Sequence, residues 1–141
     1  MSTQATIPTP IGGLYHDEMW ASIKCERFEL QQCTECSAFR YPPGPACPHC
    51  LSLKFICSPV SGKAEILSWV IFHKSYLESY PAPYNVIAVR LKEGPTMVSN
   101  LVGPLPSGSW IGRAVDLVYD KVADGTILPR FRLSDEDVGV L

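Results

Sequence analysis

Two C-x-x-C pairs, Cys33-Thr34-Glu35-Cys36 and Cys47-Pro48-His49-Cys50, constrain this chain more than any other feature of its sequence. Each pair turns its backbone so that two sulfurs converge, and two such turns offer the four soft ligands of a tetrahedral zinc site. Ten residues separate the pairs, fewer than the about 15–20 of the usual ribbon loop. Pro42, Pro43, Gly44 and Pro45 supply the chain reversal that a short hairpin there requires. Four protein ligands leave no coordination position for water or substrate, so Cys33, Cys36, Cys47 and Cys50 are expected to form a structural Zn2+ site without hydrolytic chemistry. Iron fits the same thiolate tetrahedron, and both metals remain open on spacing alone. The competing reading, two thioredoxin-type redox motifs, needs a βαβ context that the flanking sequence lacks. Cys25 and Cys57 fall outside the spacing and read as free thiols.

The rest of the composition is that of a packed protein: 46% of the 141 residues are apolar and 18% charged. A formal net charge of -2 gives no global positive field to attract nucleic acid. No apolar run is long enough for a bilayer, and residues 1–10 lack the basic start and apolar stretch of a signal peptide. Reduced, metal-bound thiols in a cytoplasmic protein are therefore expected, with no membrane partner.

The chain divides into an N-terminal arm and helix (1–29), a zinc ribbon (30–60), and a barrel with its C-terminal tail (61–141). Asp17-Glu18 opens a predicted helix that runs to about Arg27, with Met19, Trp20 and Ile23 as its apolar side. After Ser61 come five strand-like runs, 63–73, 84–92, 96–102, 113–122 and 127–133, punctuated by Gly- and Pro-containing turns. Five strands in so short a stretch, with no helical period between them, predict a mainly β fold and a five-stranded OB-type barrel. On the first run Ala64, Ile66, Ser68, Val70 and Phe72 alternate with Glu65, Leu67, Trp69, Ile71 and His73. Both sets are apolar at mid-strand, so one fills the barrel and the other needs a cover.

No Ser-His-Asp or Cys-His-Asn set can be assembled around His16, His49 or His73, and no phosphate-binding glycine motif occurs. Recognition surfaces are easier to find. The loop Lys74 to Pro83 carries Tyr76 and Tyr80 among prolines. Arg130 and Arg132 flank Phe131, a pattern that could address a phosphate while the ring stacks. An OB barrel behind a zinc ribbon also admits a free-standing single-stranded nucleic-acid binder, against which stand the scattered basic residues and the excess of carboxylates.

Trp20, Cys33-x-x-Cys36, Tyr41-Pro42-Pro43 and Cys47-Pro48-x-Cys50, in that order, resemble the DUF35 family. So do Ser61-Gly62-Lys63-Ala64, Pro83-Tyr84 leading into 86–94, Ile111 to Val115, and Leu128-Pro129-Arg130-Phe131. Ala64 departs from the glycine common there. The resemblance implies a rubredoxin-like zinc ribbon before an OB fold. It also implies a non-catalytic accessory subunit of a thiolase-superfamily acyl-CoA enzyme, a thiolase, acyltransferase or aldolase, whose partner chain carries the catalytic residues. Coenzyme A or acyl-CoA is then a ligand shared with that partner. Trp20, Trp69, Lys74, Tyr76, Tyr80, Arg130, Phe131 and Arg132 are the candidate contacts to ligand or partner, and no nucleic-acid partner is expected.

Overall fold

The computed structural model describes residues 8–135. Helix α1 (His16–Lys24) places Asp17 and Glu18 in its first turn and Lys24 in its last, complementing the helix dipole. Met19 and Ile23, one turn apart, are its buried residues. The helix ends three residues before the expected Arg27. Glu26 takes a left-handed φ of 55°, Glu26 N–H bonds Ile23 C=O, and Arg27 N–H bonds Ser22 C=O at 3.0 Å. These two bonds make a Schellman closure, and glutamate in the place usually given to glycine hid it from the sequence.

Strands β1 (Glu29–Cys33), β2 (Phe39–Arg40) and β3 (Phe55–Pro59) form a small antiparallel sheet in the order β2-β1-β3. The turn between β1 and β2 is the first C-x-x-C pair itself, with Gln32 opposite Phe39 and Cys33 N–H bonded to Ala38 C=O. The prolines at 42–45 therefore do not form the expected hairpin tip; they lie in the arm that carries the second pair across. β3 was not anticipated either, since Phe55-Ile56-Cys57-Ser58-Pro59 has neither clear alternation nor β-branched enrichment. It is held by pairing along all of β1, from Glu29 opposite Pro59 to Cys33 opposite Phe55.

The five predicted later strands are present as β4 (Lys63–Phe72), β5 (Tyr84–Leu91), β6 (Thr96–Ser99), β7 (Ala114–Lys121) and β8 (Ile127–Leu133). They are ordered β6-β5-β4-β7-β8. Backbone bonds from Val102 N–H to Phe131 C=O and from Phe131 N–H to Asn100 C=O curl the sheet round, joining the end of β6 to β8 as an OB fold does. Gly62, at φ +80°, admits the chain to β4: a Cβ there would lie 3.2 Å from Leu117 Cβ.

A bulge in β4 corrects the expected alternation. Ile66 pairs with Val89 and Ser68 with Ala88, so Leu67 is an extra residue and the strand changes parity there. Ala64 and Ile66 point into the core before the bulge, and Trp69 and Ile71 pack against it afterwards, while Ser68, Val70 and Phe72 turn outward. The core is one apolar cluster. Ile66, Ile87, Val89, Trp110, Val115 and Phe131 from the barrel meet Met19 and Ile23 from α1, with Phe28 and Leu30 leading into the ribbon. Each such side chain, fully buried, contributes about 1.5–3 kcal/mol.

Candidate metal centre and interaction surface

The two cysteine pairs fold alike. Cys33 C=O accepts from Ser37 N–H, as Cys47 C=O does from Leu51 N–H, both at 2.9 Å. Cys33 N–H donates to Ala38 C=O, and Cys47 N–H to Ser52 C=O. The residue after each second cysteine takes a left-handed conformation, with φ 66° at Ser37 and 63° at Leu51. Two similar knuckles thus face each other. Gly44 locks their separation: its N–H donates to Gln31 Oε1 at 2.9 Å, and its C=O accepts from Arg40 Nη1 at 3.2 Å. Gln31 and Arg40 are both buried, and the Arg40 guanidinium also lies over the Phe55 ring at 5.2 Å. That clamp lets only ten residues connect the pairs.

The four sulfurs lie within 4.8 Å of one another. Cys33–Cys50 and Cys36–Cys47 are 3.5 Å apart. A tetrahedron with metal–sulfur bonds of about 2.3 Å separates its sulfurs by about 3.8 Å, so the residues fit Zn2+. Cys33 and Cys47 are buried, and Cys36 and Cys50 face outward. Backbone N–H groups prepare two of the thiols for ionisation. The N–H of Cys50, then that of His49, hold Cys47 at about 6 against burial. The N–H groups of Cys36 and Glu35 likewise lower Cys33. At Cys50 the Ser52 N–H favours the thiolate, but the sulfurs of Cys33, Cys36 and Cys47, with burial, push it up to about 12. At Cys36 the Ala38 N–H acts downward, yet Cys47 and burial leave it raised. Thiols this close titrate together, and a divalent cation would displace the protons that Cys36 and Cys50 hold most tightly.

Outside the quartet, Cys57 donates to Glu18 Oε2 at 3.0 Å, and burial, then the Glu18 carboxylate, push its thiol up to about 11. Such a thiol is a poor nucleophile.

The candidate contact residues do not converge on one place. Trp20 packs against the core and lines a cavity of about 430 Å³ with Lys24, Asp17 and Ile127. Trp69 stacks on the buried Trp110, with centroids 4.5 Å apart, and Trp110 Nε1 donates to Pro106 C=O. Tyr76 and Tyr80 do come together, in an aromatic cluster with Phe72 and Tyr84 beside a shallow cavity of about 240 Å³. Lys74 lies 5.5 Å from the Tyr76 ring centre. The Arg130-Phe131-Arg132 reading needs correction. Phe131 is wholly buried and has no face to stack on a ligand, and Arg130 is ion-paired to Asp120. Arg132 alone is exposed. Sequence reasoning missed Ser37, Leu51, Gln31 and Arg40; the place directly after each C-x-x-C was the available signal for the first two.

Comparison with known proteins places these parts in a family. Residues 20–55 match the model of the ChsH2 rubredoxin-like zinc ribbon domain, and residues 58–120 that of the ChsH2 C-terminal OB-fold domain. A DUF35 domain-containing scaffold protein of Methanothermobacter thermautotrophicus is 32% identical over 114 residues, which are 74% of this chain and 81% of that protein. The chain belongs to the DUF35 family. A solved structure described as Ltp2-ChsH2(DUF35) aldolase shares 32% identity with this DUF35 chain at a TM-score of 0.80, covering 89% of it and 98% of the solved chain. A probable enoyl-CoA hydratase alpha subunit of Thermomonospora curvata is 36% identical over 111 residues, 79% of the DUF35 chain. Those residues are 35% of the hydratase subunit, so the DUF35 chain spans about a third of that relative's length.

Proposed function

We propose that this DUF35 chain is a non-catalytic accessory subunit of an enzyme acting on acyl-coenzyme A thioesters. Its catalytic partner is a thiolase-type chain with thiolase, acyltransferase or aldolase activity. The observation that carries this reading is the closed metal centre. Among the described residues the cysteine quartet is the only group of three or more potential metal ligands, and it fills a tetrahedron by itself. Zn2+ bound there stabilises the ribbon and leaves no site for a reacting water. The cavity beside Tyr76 and Tyr80, lined also by Leu77, Tyr84 and Asn100, holds no carboxylate, histidine or lysine, as expected of a surface that shapes a site completed by another protein. Relatives described as a hydratase alpha subunit and as part of an aldolase support an enzyme assembly that handles CoA compounds.

Within such an assembly the chain would stabilise the catalytic subunit and contribute to holding the coenzyme A moiety. Calorimetric titration with coenzyme A tests this on the separated chains and on the purified complex. Binding by the complex at least tenfold tighter than by either chain is expected, and full-strength binding by the catalytic chain alone would remove the shared-ligand role.

A further inference from the structure

We infer that the outer face of β4, β5 and β6, together with the free edge of β4 beyond Ile66, is where the catalytic partner docks, by adding an extended segment along β4. The inference rests on the accessory role proposed above and assigns that role to a surface. The outer face is apolar at one end and charged at the other. Val70 stands opposite Val86, Phe72 opposite Tyr84, and Ala88 opposite Val98, so these outward side chains are neighbours by register. Val70 is 48% exposed, Val98 63% and Tyr76 66%. Towards the other end Glu65 faces Arg90, and Lys63 is ion-paired to Asp116. A contiguous exposed patch of aliphatic and aromatic side chains bordered by charges is the composition of a protein interface.

The edge of β4 determines what kind of occupant fits. β7 pairs with β4 only over Lys63–Glu65, and the last bonds on that side run from Ile66 N–H to Arg113 C=O and from Gly112 N–H to Ile66 C=O. Among the described residues no strand and no loop backbone bonds β4 on that side from 67 to 72. The stretch Leu67-Ser-Trp-Val-Ile-Phe72 contains no proline and no charge to guard it. A row of fixed donors and acceptors is completed by another extended backbone, which a helix cannot supply. Lys74, exposed and outside any ion pair among the described residues, sits at the apolar end and calls for a carboxylate on the occupant. The partner segment is thus extended, apolar towards Val70 and Phe72, and acidic towards Lys74.

The test uses the tagged full chain, purified with its partner from the cells that make it, the partner being identified by mass spectrometry. Val70→Arg and Val98→Arg should each lower the stoichiometric catalytic chain at least about tenfold, as expected for buried interface positions, and Lys74→Glu, which sets like charge against the occupant's carboxylate, should lower it as well. Leu53→Arg, at a still more exposed apolar position on the ribbon, should leave it unchanged, and all variants should keep wild-type circular dichroism and zinc content. In the wild-type complex, amide hydrogen exchange across 67–76 should slow at least tenfold relative to the free chain. Retention of the partner by the outer-face variants, or protection that falls on the ribbon instead, would overturn this surface while leaving the accessory role standing. A wild-type chain that carries no CoA-enzyme partner would overturn both. A homodimer dissolved by Val70→Arg would assign the face to a second copy and overturn the proposal.

Discussion

Leu51 and Ser37 hold left-handed backbone conformations directly after a metal-ligating cysteine, where an L-residue costs about 1–2 kcal/mol relative to its preferred regions. Leu51 is also strongly exposed, so its side chain offsets little of that cost by burial. Leu51→Gly should therefore raise stability by about 0.5–1 kcal/mol, the gain being reduced by glycine's greater unfolded freedom. Urea denaturation of the zinc-loaded chain measures this, and a destabilised variant would show that the leucine side chain is structural. The sulfurs carry a second prediction. Cys47 at about 6 and the lowered Cys33 ionise early, whereas Cys36 and Cys50 hold their protons. Zinc binding between pH 7 and 8 thus expels at least the two protons of Cys36 and Cys50, and affinity should rise at least about hundredfold per pH unit and fall as sharply on acidification. Competition with a chelator at several pH values gives that slope, and a flat profile would contradict the thiol assignments.

At the scale of elements, the loop between β6 and β7 delivers the barrel's largest buried ring. Trp110 is 4% exposed, stacked on Trp69 and hydrogen-bonded to Pro106. Trp110→Ala should cost about 3–5 kcal/mol, typical of deleting a buried aromatic, read as a lowered midpoint in denaturant. The strands were legible because their β-branched and aromatic runs end at glycines and prolines, which gave their bounds to within three residues. The bulge at Leu67 was not legible, since one extra residue alters no composition yet reverses which side chains face the core. β3 escaped for a related reason: pairing with β1 makes it a strand, and its own sequence does not. The helix end at Lys24 escaped because Glu26 fills a place that sequence rules reserve for glycine.

On the scale of the whole molecule, the metal centre and the barrel were legible to different degrees. Four cysteines in two short pairs announce a site because few other arrangements use that spacing, and the sulfurs do converge. Interaction surfaces send no such signal. Arg130-Phe131-Arg132 looked like a ligand-binding triplet, but register turns Phe131 into the core and Asp120 takes Arg130. Conversely, the outward apolar set of β4 could be defined only once the bulge was located. The shared apolar cluster of α1 and the barrel implies that chelation should damage the ribbon more than the barrel. Removal of zinc should therefore abolish the exchange protection of residues 29–59 while sparing β5 and β8.

The accessory role proposed above gives this chain a supporting and not a catalytic part in acyl-CoA chemistry. The most direct test of that role is turnover by the purified complex, by each separated chain, and by the recombined pair. The account predicts no turnover by the zinc-loaded DUF35 chain alone, diminished turnover by its partner alone, and recovery on recombination. Turnover by the isolated DUF35 chain, or undiminished turnover by the partner without it, would contradict the account.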